Sequence, residues 1–221
     1  MLNKNILAQS LVVVGLLAAA CASQATITVY TSLAAFTAAV QNPGTDTFAD
    51  LRLGSQPFFD LTRRVGSYYY EGVTDPNRNF WVVGTDANPW LSTGQATDII
   101  DIGAFVGGVS ALGGNFFASA RSGSFVSGDV VVTAADADGA VSRTITGATV
   151  DSFLGFVSNT GSMGSTRVRS VQPGPGDFIY PTVDNLVLAT AVTAVPEPET
   201  YALLLAGLGI VGFIARRRRA D

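Results

Sequence analysis

The sequence predicts a mainly β fold: an antiparallel β-sandwich, jelly-roll-like, with one short N-terminal helix. Three observations carry that expectation. Short apolar runs alternate with turn clusters along residues 45–190. Valine, phenylalanine, threonine, serine and glycine are plentiful while lysine and glutamate are scarce, which favours strand over helix. The stretch between the two chain ends, residues 26–193, is 168 positions long, enough for one domain with its own core.

Taken in order, Thr26-Ile27-Thr28-Val29-Tyr30 has strand character. Ser32 is placed as an N-cap, and Leu33, Phe36 and Val40 recur at helical spacing. A helix is therefore expected over residues 32–41, stopped by Asn42-Pro43-Gly44. Thr45-Asp46-Thr47-Phe48 returns to strand. Nine further strands are expected: Ser67–Glu71, Phe80–Val83, Ile99–Ile102, Ser110–Phe117, Asp129–Ala135, Ala140–Thr146, Phe153–Ser158, Thr166–Val171 and Val183–Ala189. Asp136-Ala137-Asp138-Gly139 is a strong turn between the fifth and sixth of these and predicts a hairpin. In its second arm Val141 and Ile145 flank Arg143 on one face, with Ser142, Thr144 and Thr146 on the other.

Absences decide most of the chemistry. The chain has no histidine, which removes a Ser-His-Asp triad, imidazole metal sites and histidine acid–base work. No glycine-rich phosphate loop follows a strand and opens a helix. Residues 26–193 carry eight arginines against thirteen aspartates and the single Glu71, a net charge of −6, which argues against a nucleic-acid partner. Glycoside cleavage needs two carboxyl groups roughly 5–10 Å apart. Glu71 is the one glutamate available to pair with an aspartate, and its plainer reading is a solvated charge at a strand end. The body is expected not to be an enzyme and to need no cofactor.

Two candidate binding features remain. Calcium takes hard oxygen ligands, and Asp136 and Asp138 before Gly139 resemble a fragment of a calcium loop, although no glutamate follows in residues 140–150. The same residues also make a good backbone turn without any metal. Asp98, Asp101 and Asp184 are weaker candidates. Aromatic rings stack on the flat faces of sugars. Tyr68, Tyr69, Tyr70, Trp81 and Trp90 fall within 23 residues, and strand alternation puts Tyr68 and Tyr70 on one face and Tyr69 on the other. Trp90, after Asn88-Pro89, is expected in a loop. Tyr68, Tyr70, Trp81 and Trp90 are thus the candidate carbohydrate platform, against the alternative that they fill the core.

The chain ends speak of address. Lys4, the apolar run Ile6–Ala20 and the small residues beyond it read as a cleavable secretory signal over residues 1–25, which hands the chain to the secretion machinery. Cuts after Ala22 and after Ala25 both fit. Cleavage after Ala25 would leave no cysteine in the mature protein. Lipidation at Cys21, the only cysteine, is the alternative, although the expected leucine stands one place early at Leu17. At the other end, Pro196-Glu197-Pro198 cannot continue a strand or helix and sits extended. An apolar run over residues 201–215 and the cluster Arg216, Arg217, Arg218, Arg219 follow. Those 15 residues would span ~22 Å as a helix, a short transmembrane segment against a hydrocarbon core of ~30 Å. The arginines should stay cytoplasmic and retain the precursor in the inner membrane, with the body outside.

This ordered tail, residues 194–221, resembles the PEP-CTERM sorting signal of Gram-negative bacteria. The resemblance implies an exosortase as partner and Pro196, Glu197 and Pro198 as the sorting motif. It also implies a membrane-anchored precursor with its body in the periplasm, then release to the outer surface or extracellular matrix, and a structural or adhesive role linked to exopolysaccharide. Gly113-Gly114-Asn115-Phe116-Phe117, the Asp138-Gly139 hairpin, Phe153-Leu154-Gly155-Phe156 and Val183–Leu188 look like the bodies of many such proteins. They look less closely like lectin-type and carbohydrate-binding-module jelly rolls. A carbohydrate-binding module of the cell envelope is accordingly the alternative role.

Overall fold

A computed structural model describes residues 27–56, 60–75, 78–192 and 207–208. The chain divides into two compact units, Met1–Ala191 and Val192–Asp221. In the second, Gly207 and Leu208 are helical. The expected signal peptide, the Pro-Glu-Pro motif, nearly all of the expected membrane span and the arginine cluster lie outside the described residues. Among the described residues no helix is long and apolar enough to cross a membrane.

The first unit is mainly β, built from two antiparallel sheets. One sheet has nine strands: β1 (Thr28–Tyr30), β2 (Val40–Asp46), β3 (Gly54–Ser55), β6 (Phe80–Thr85), β7 (Asn88–Thr93), β9 (Ala111–Ser119), β10 (Phe125–Val126), β13 (Phe153–Val157) and β15 (Tyr180–Ala191). Its order is β1-β13-β9-β15-β7-β6-β3, with β2 also on β15 and β10 also on β9. The other sheet runs β12-β11-β14-β8-β5-β4, from β4 (Asp60–Val65), β5 (Tyr68–Val73), β8 (Ile100–Val106), β11 (Gly128–Asp136), β12 (Gly139–Ala148) and β14 (Ser165–Ser170).

β15 organises the larger sheet. It is buried along most of its length and pairs with β9 on one side. On the other side its first part takes β7 and its second part takes β2. The register against β9 shifts between Asp184 and Val187, where Asn185 adopts a φ of 48°. Such a bulge suits asparagine, whose short polar side chain tolerates that region. The inner faces of both sheets meet in one core that includes Phe80, Val82, Leu112, Phe116, Ile100, Val130 and Val168. A second cluster lies under the helix, around Phe36, Ala111 and Val187.

The helix described in the first unit, α1 (Leu33–Ala38), is shorter than the periodicity predicts. Ser32 caps it as expected, its side chain accepting from the Ala35 amide. Val40 leaves the helix to pair with Ala191, and Asn42-Pro43-Gly44 does not end a helix but lies within β2. Proline fits there because β2 pairs on one side only, at a register irregularity of the β15 ladder. Phe36 anchors α1, its ring edge-on to Tyr30 and tilted against Phe153. The Asp136–Gly139 hairpin forms as expected between β11 and β12. Nine of the nine later strands exist within a few residues of their expected limits, but β3, β4, β7 and β10 are additional.

The turn after β2 is held by a buried charge. Asp46 accepts from Arg63 Nε at 2.9 Å and Nη2 at 2.6 Å, from the Tyr70 hydroxyl at 2.9 Å and from the Phe48 amide at 2.9 Å. Phe48 is fully buried with a φ of 55°, an unusual conformation for a bulky residue, and the Asp46 bond to its amide fixes it. Burial works against the Arg63 charge, but its bonds to Asp46 and Asp50 outweigh that and raise its pKa. Burial, then the Asp46 charge, pushes the Tyr70 hydroxyl well above its ordinary value.

Candidate functional site

The expected aromatic platform divides in a way alternation explains. Tyr68 and Tyr70 do share a face, and it is the inner one: both are buried, their hydroxyls donating to Asn42 O and to Asp46. Neither ring is offered to a ligand. Tyr69 points outward and lies under the Arg64 guanidinium, 5.2 Å from its ring centroid.

Trp81 and Trp90 belong to a hairpin of β6 and β7, so Trp90 stands in a strand and not in the expected loop. Phe80, Val82 and Leu91 face the core. Trp81 lies opposite Ser92 and Val83 opposite Trp90, which puts both tryptophans on the outer face of the larger sheet. Gly84 permits the tight end of the hairpin: its φ is 90°, and a Cβ there would meet Asn88 O at 2.6 Å. The two rings have different fates. Trp90 is half-buried, edge-on to Phe117 at 5.0 Å, and its Nε1 finds no acceptor among the described residues. Trp81 is 44% exposed.

One register row crosses five strands on this outer face: Ser55, Trp81, Ser92, Thr182 and Phe117. Trp81 forms the ridge between two open clefts. The larger, about 400 Å³, runs from Trp81 over Ser92 to Ser119, Arg121, Phe178 and Tyr180. The smaller, about 220 Å³, lies on the other side of Trp81, against Ser55, Arg78 and Asn79. Gly94 and Gln95 border both. Beneath the larger cleft lies a knot of fully buried hydroxyls from Ser92, Ser119 and Thr182, bonded to one another. Thr182 Oγ1 donates to Ser119 Oγ at 2.9 Å, and Ser92 Oγ donates to Pro181 O at 2.9 Å. Phe178, 57% exposed, stands on the rim.

The rim is fixed from behind. The Gln172 side-chain amide donates to Ala96 O and Ile179 O, and its oxygen accepts from the Ile179 amide. Those bonds tie the 93–97 loop to the segment leading into Tyr180. On the small-cleft side Arg78 is held by Asp98, Nη1 to Oδ1 at 2.6 Å. Asp98 is fully buried, and its pKa is pushed up to about 6, by burial first and by Asp75 next, with Arg78 opposing. Its Oδ2 meets no donor among the described residues.

The other sequence candidates take structural places. Asp136 Oδ1 accepts from the Asp138 and Gly139 amides, and Oδ2 accepts from Ser158 Oγ at 2.7 Å. A calcium ion would compete with those three donors, and no group of three or more acidic, cysteine or histidine side chains able to hold a metal occurs among the described residues. Asp101 pairs with Arg167 at 2.7 Å. Asp184 is buried, which raises its pKa, while Asn185 and Asn88 donate to it. Glu71 is exposed in the middle of β5.

Sequence reasoning found the two tryptophans and missed Arg121, Phe178 and Tyr180. These stand 40 to 99 positions from Trp81 in the chain, and nothing local in the sequence says that β9 and β15 lie beside β7.

Comparison with known proteins bears on the tail. A family model described as the PEP-CTERM protein-sorting motif matches residues 194–219. No curated protein and no solved structure matches the chain. The motif marks an exported protein, anchored by its C-terminal tail and processed by an exosortase.

Proposed function

We propose that the exported body is a non-catalytic carbohydrate-binding module, acting adhesively or structurally in an exopolysaccharide layer at the surface of a Gram-negative cell. In this reading the precursor waits in the inner membrane with its body in the periplasm. Exosortase processing then delivers it to the outer surface or matrix. The groove across Trp81 supports the reading. An exposed indole on a rigid sheet, a second exposed ring at Phe178 and the exposed side chains of Gln95, Thr97 and Arg121 together supply an apolar stacking surface and polar partners for ring hydroxyls. No carboxylate stands among the described lining residues of either cleft, so the proposal assigns the groove retention and not glycoside cleavage. It needs no cofactor.

Affinity electrophoresis in gels containing a polysaccharide tests the reading. The wild-type protein should be retarded in at least one polysaccharide gel. Trp81→Ala, which alters a surface ring, should migrate as in a blank gel while keeping its unfolding temperature. Equal retardation of the two proteins would move binding away from this groove.

A further inference from the structure

We infer that the groove takes an acidic, uronate-bearing polysaccharide, with sugar rings on both sides of Trp81 and a sugar carboxylate against Arg121. The inference rests on the carbohydrate reading and adds ligand charge and length.

Charge comes first. Residues 26–193 carry a net charge of −6, yet the charged groups among the described lining of both clefts are arginines only. Arg78 is already neutralised by Asp98 beneath it. Arg121 makes no ion pair with any described residue and is exposed at the end of the larger cleft. A cation left open in a groove lined otherwise by neutral groups, on an acidic surface, fits an anionic ligand. It would be wasted on a neutral one. The guanidinium is planar and forked, and a carboxylate matches it with two parallel hydrogen bonds.

Length comes from the sheet. The lining of the two clefts runs from Ser55 on β3 to Ser119 on β9, across four inter-strand gaps, or ~19 Å at the usual strand spacing. That is several times the width of one pyranose ring. Trp81 stands between the two clefts and is shared by both, as are Gly94 and Gln95. A single sugar stacked on Trp81 would leave Arg121 or Arg78 uncontacted, whereas a short chain reaches both.

The test is calorimetric titration of the full chain, purified in a non-glycosidic detergent, with oligouronates of one to eight rings, matched neutral oligosaccharides and sulfated ones. The octamer of the uronate should bind roughly tenfold tighter than the neutral chain, and raising NaCl from 50 to 500 mM should erase most of that margin. Affinity should climb with length beyond a single ring. Arg121→Gln should lose roughly tenfold in uronate affinity together with the salt dependence. Arg169→Gln, the same charge change on the other sheet, should lose neither. Circular dichroism of each variant guards against misfolding. Neutral chains bound as well as acidic ones, or a silent Arg121→Gln, would overturn the inference and leave the carbohydrate reading standing. A monomer as tight as the octamer would overturn the two-sided groove. Binding of sulfated chains alone would overturn the carboxylate assignment. No binding of any glycan would sink the underlying reading instead.

Discussion

Replacing Arg63 by methionine should destabilise the body more than any surface change. Arg63 bridges two carboxylates of different worth. Asp50 is 68% exposed in its side chain, and a pair with so solvated a partner contributes under about 1 kcal/mol. Asp46 is 4% exposed, and Arg63 itself 10%. Without Arg63, Asp46 keeps the Tyr70 hydroxyl and the Phe48 amide, but a buried carboxylate is left without a counter-charge, at a cost of ~3–5 kcal/mol. Against a total of ~5–15 kcal/mol that is a large share. For a domain of this size it lowers the melting temperature by ~6–20 °C. Urea unfolding monitored by tryptophan fluorescence gives the number. Asp50→Ala serves as the internal control and should stay below about 1 kcal/mol. If Arg63→Met costs no more than Asp50→Ala, Asp46 is not a buried charge dependent on Arg63, and the account of the turn at Phe48 fails.

Three further outcomes follow from other sites. Gly155→Ala should cost ~1–3 kcal/mol, because a Cβ there runs into the Phe36 ring, which Tyr30 and Phe153 hold on either side. Thermal unfolding of that variant beside Phe36→Ala and the double mutant checks it, and additive losses would contradict the clash. For Asp98, a pKa pushed up to about 6 means that the fold favours the protonated form. Its stabilisation is full below the ordinary carboxylate value of 3.8 and is lost as pH rises through about 6. The difference in unfolding free energy between wild type and Asp98→Asn should therefore change between pH 4 and pH 6.5, with a carboxyl resonance titrating near the upper value. In the tail, replacing Pro196 and Pro198 by alanine removes the two fixed proline φ angles from the sorting motif, and uncleaved precursor should accumulate at the inner membrane of an exosortase-bearing host. Normal maturation would refute that role.

How much of this was legible in the sequence depended on the range of the signal. Local chemistry read well. Ser32 as a cap, the Asp136–Gly139 turn and the alternation of Tyr68, Tyr69 and Tyr70 depend on neighbours in the chain, and each is found as read. The helix limit failed because Val40 obeys a long-range pairing with Ala191. Alternation told which tyrosines share a face, but not which face is inside, and so Tyr68 and Tyr70 turned out to be core. Trp90 was misplaced because Asn88-Pro89 looks like loop chemistry, whereas here it begins a strand. Arg121, Phe178 and Tyr180 join Trp81 only through the order of β9, β15, β7 and β6, which no local pattern encodes. The sorting tail, a linear motif, was readable from its residues alone and is the part the family comparison recognises.

The groove across Trp81 is the claim on which the functional account turns, and the two tryptophans make it directly measurable. Trp81 is open to solvent and Trp90 is packed against Phe117, so a neutral quencher such as acrylamide reaches mainly the first. Saturating acidic polysaccharide should cut the quenchable fraction of wild-type fluorescence to near that of Trp81→Phe, whose own quenching should not respond to the ligand. Quenching of the wild type that stays unchanged while the protein is demonstrably bound would contradict the account.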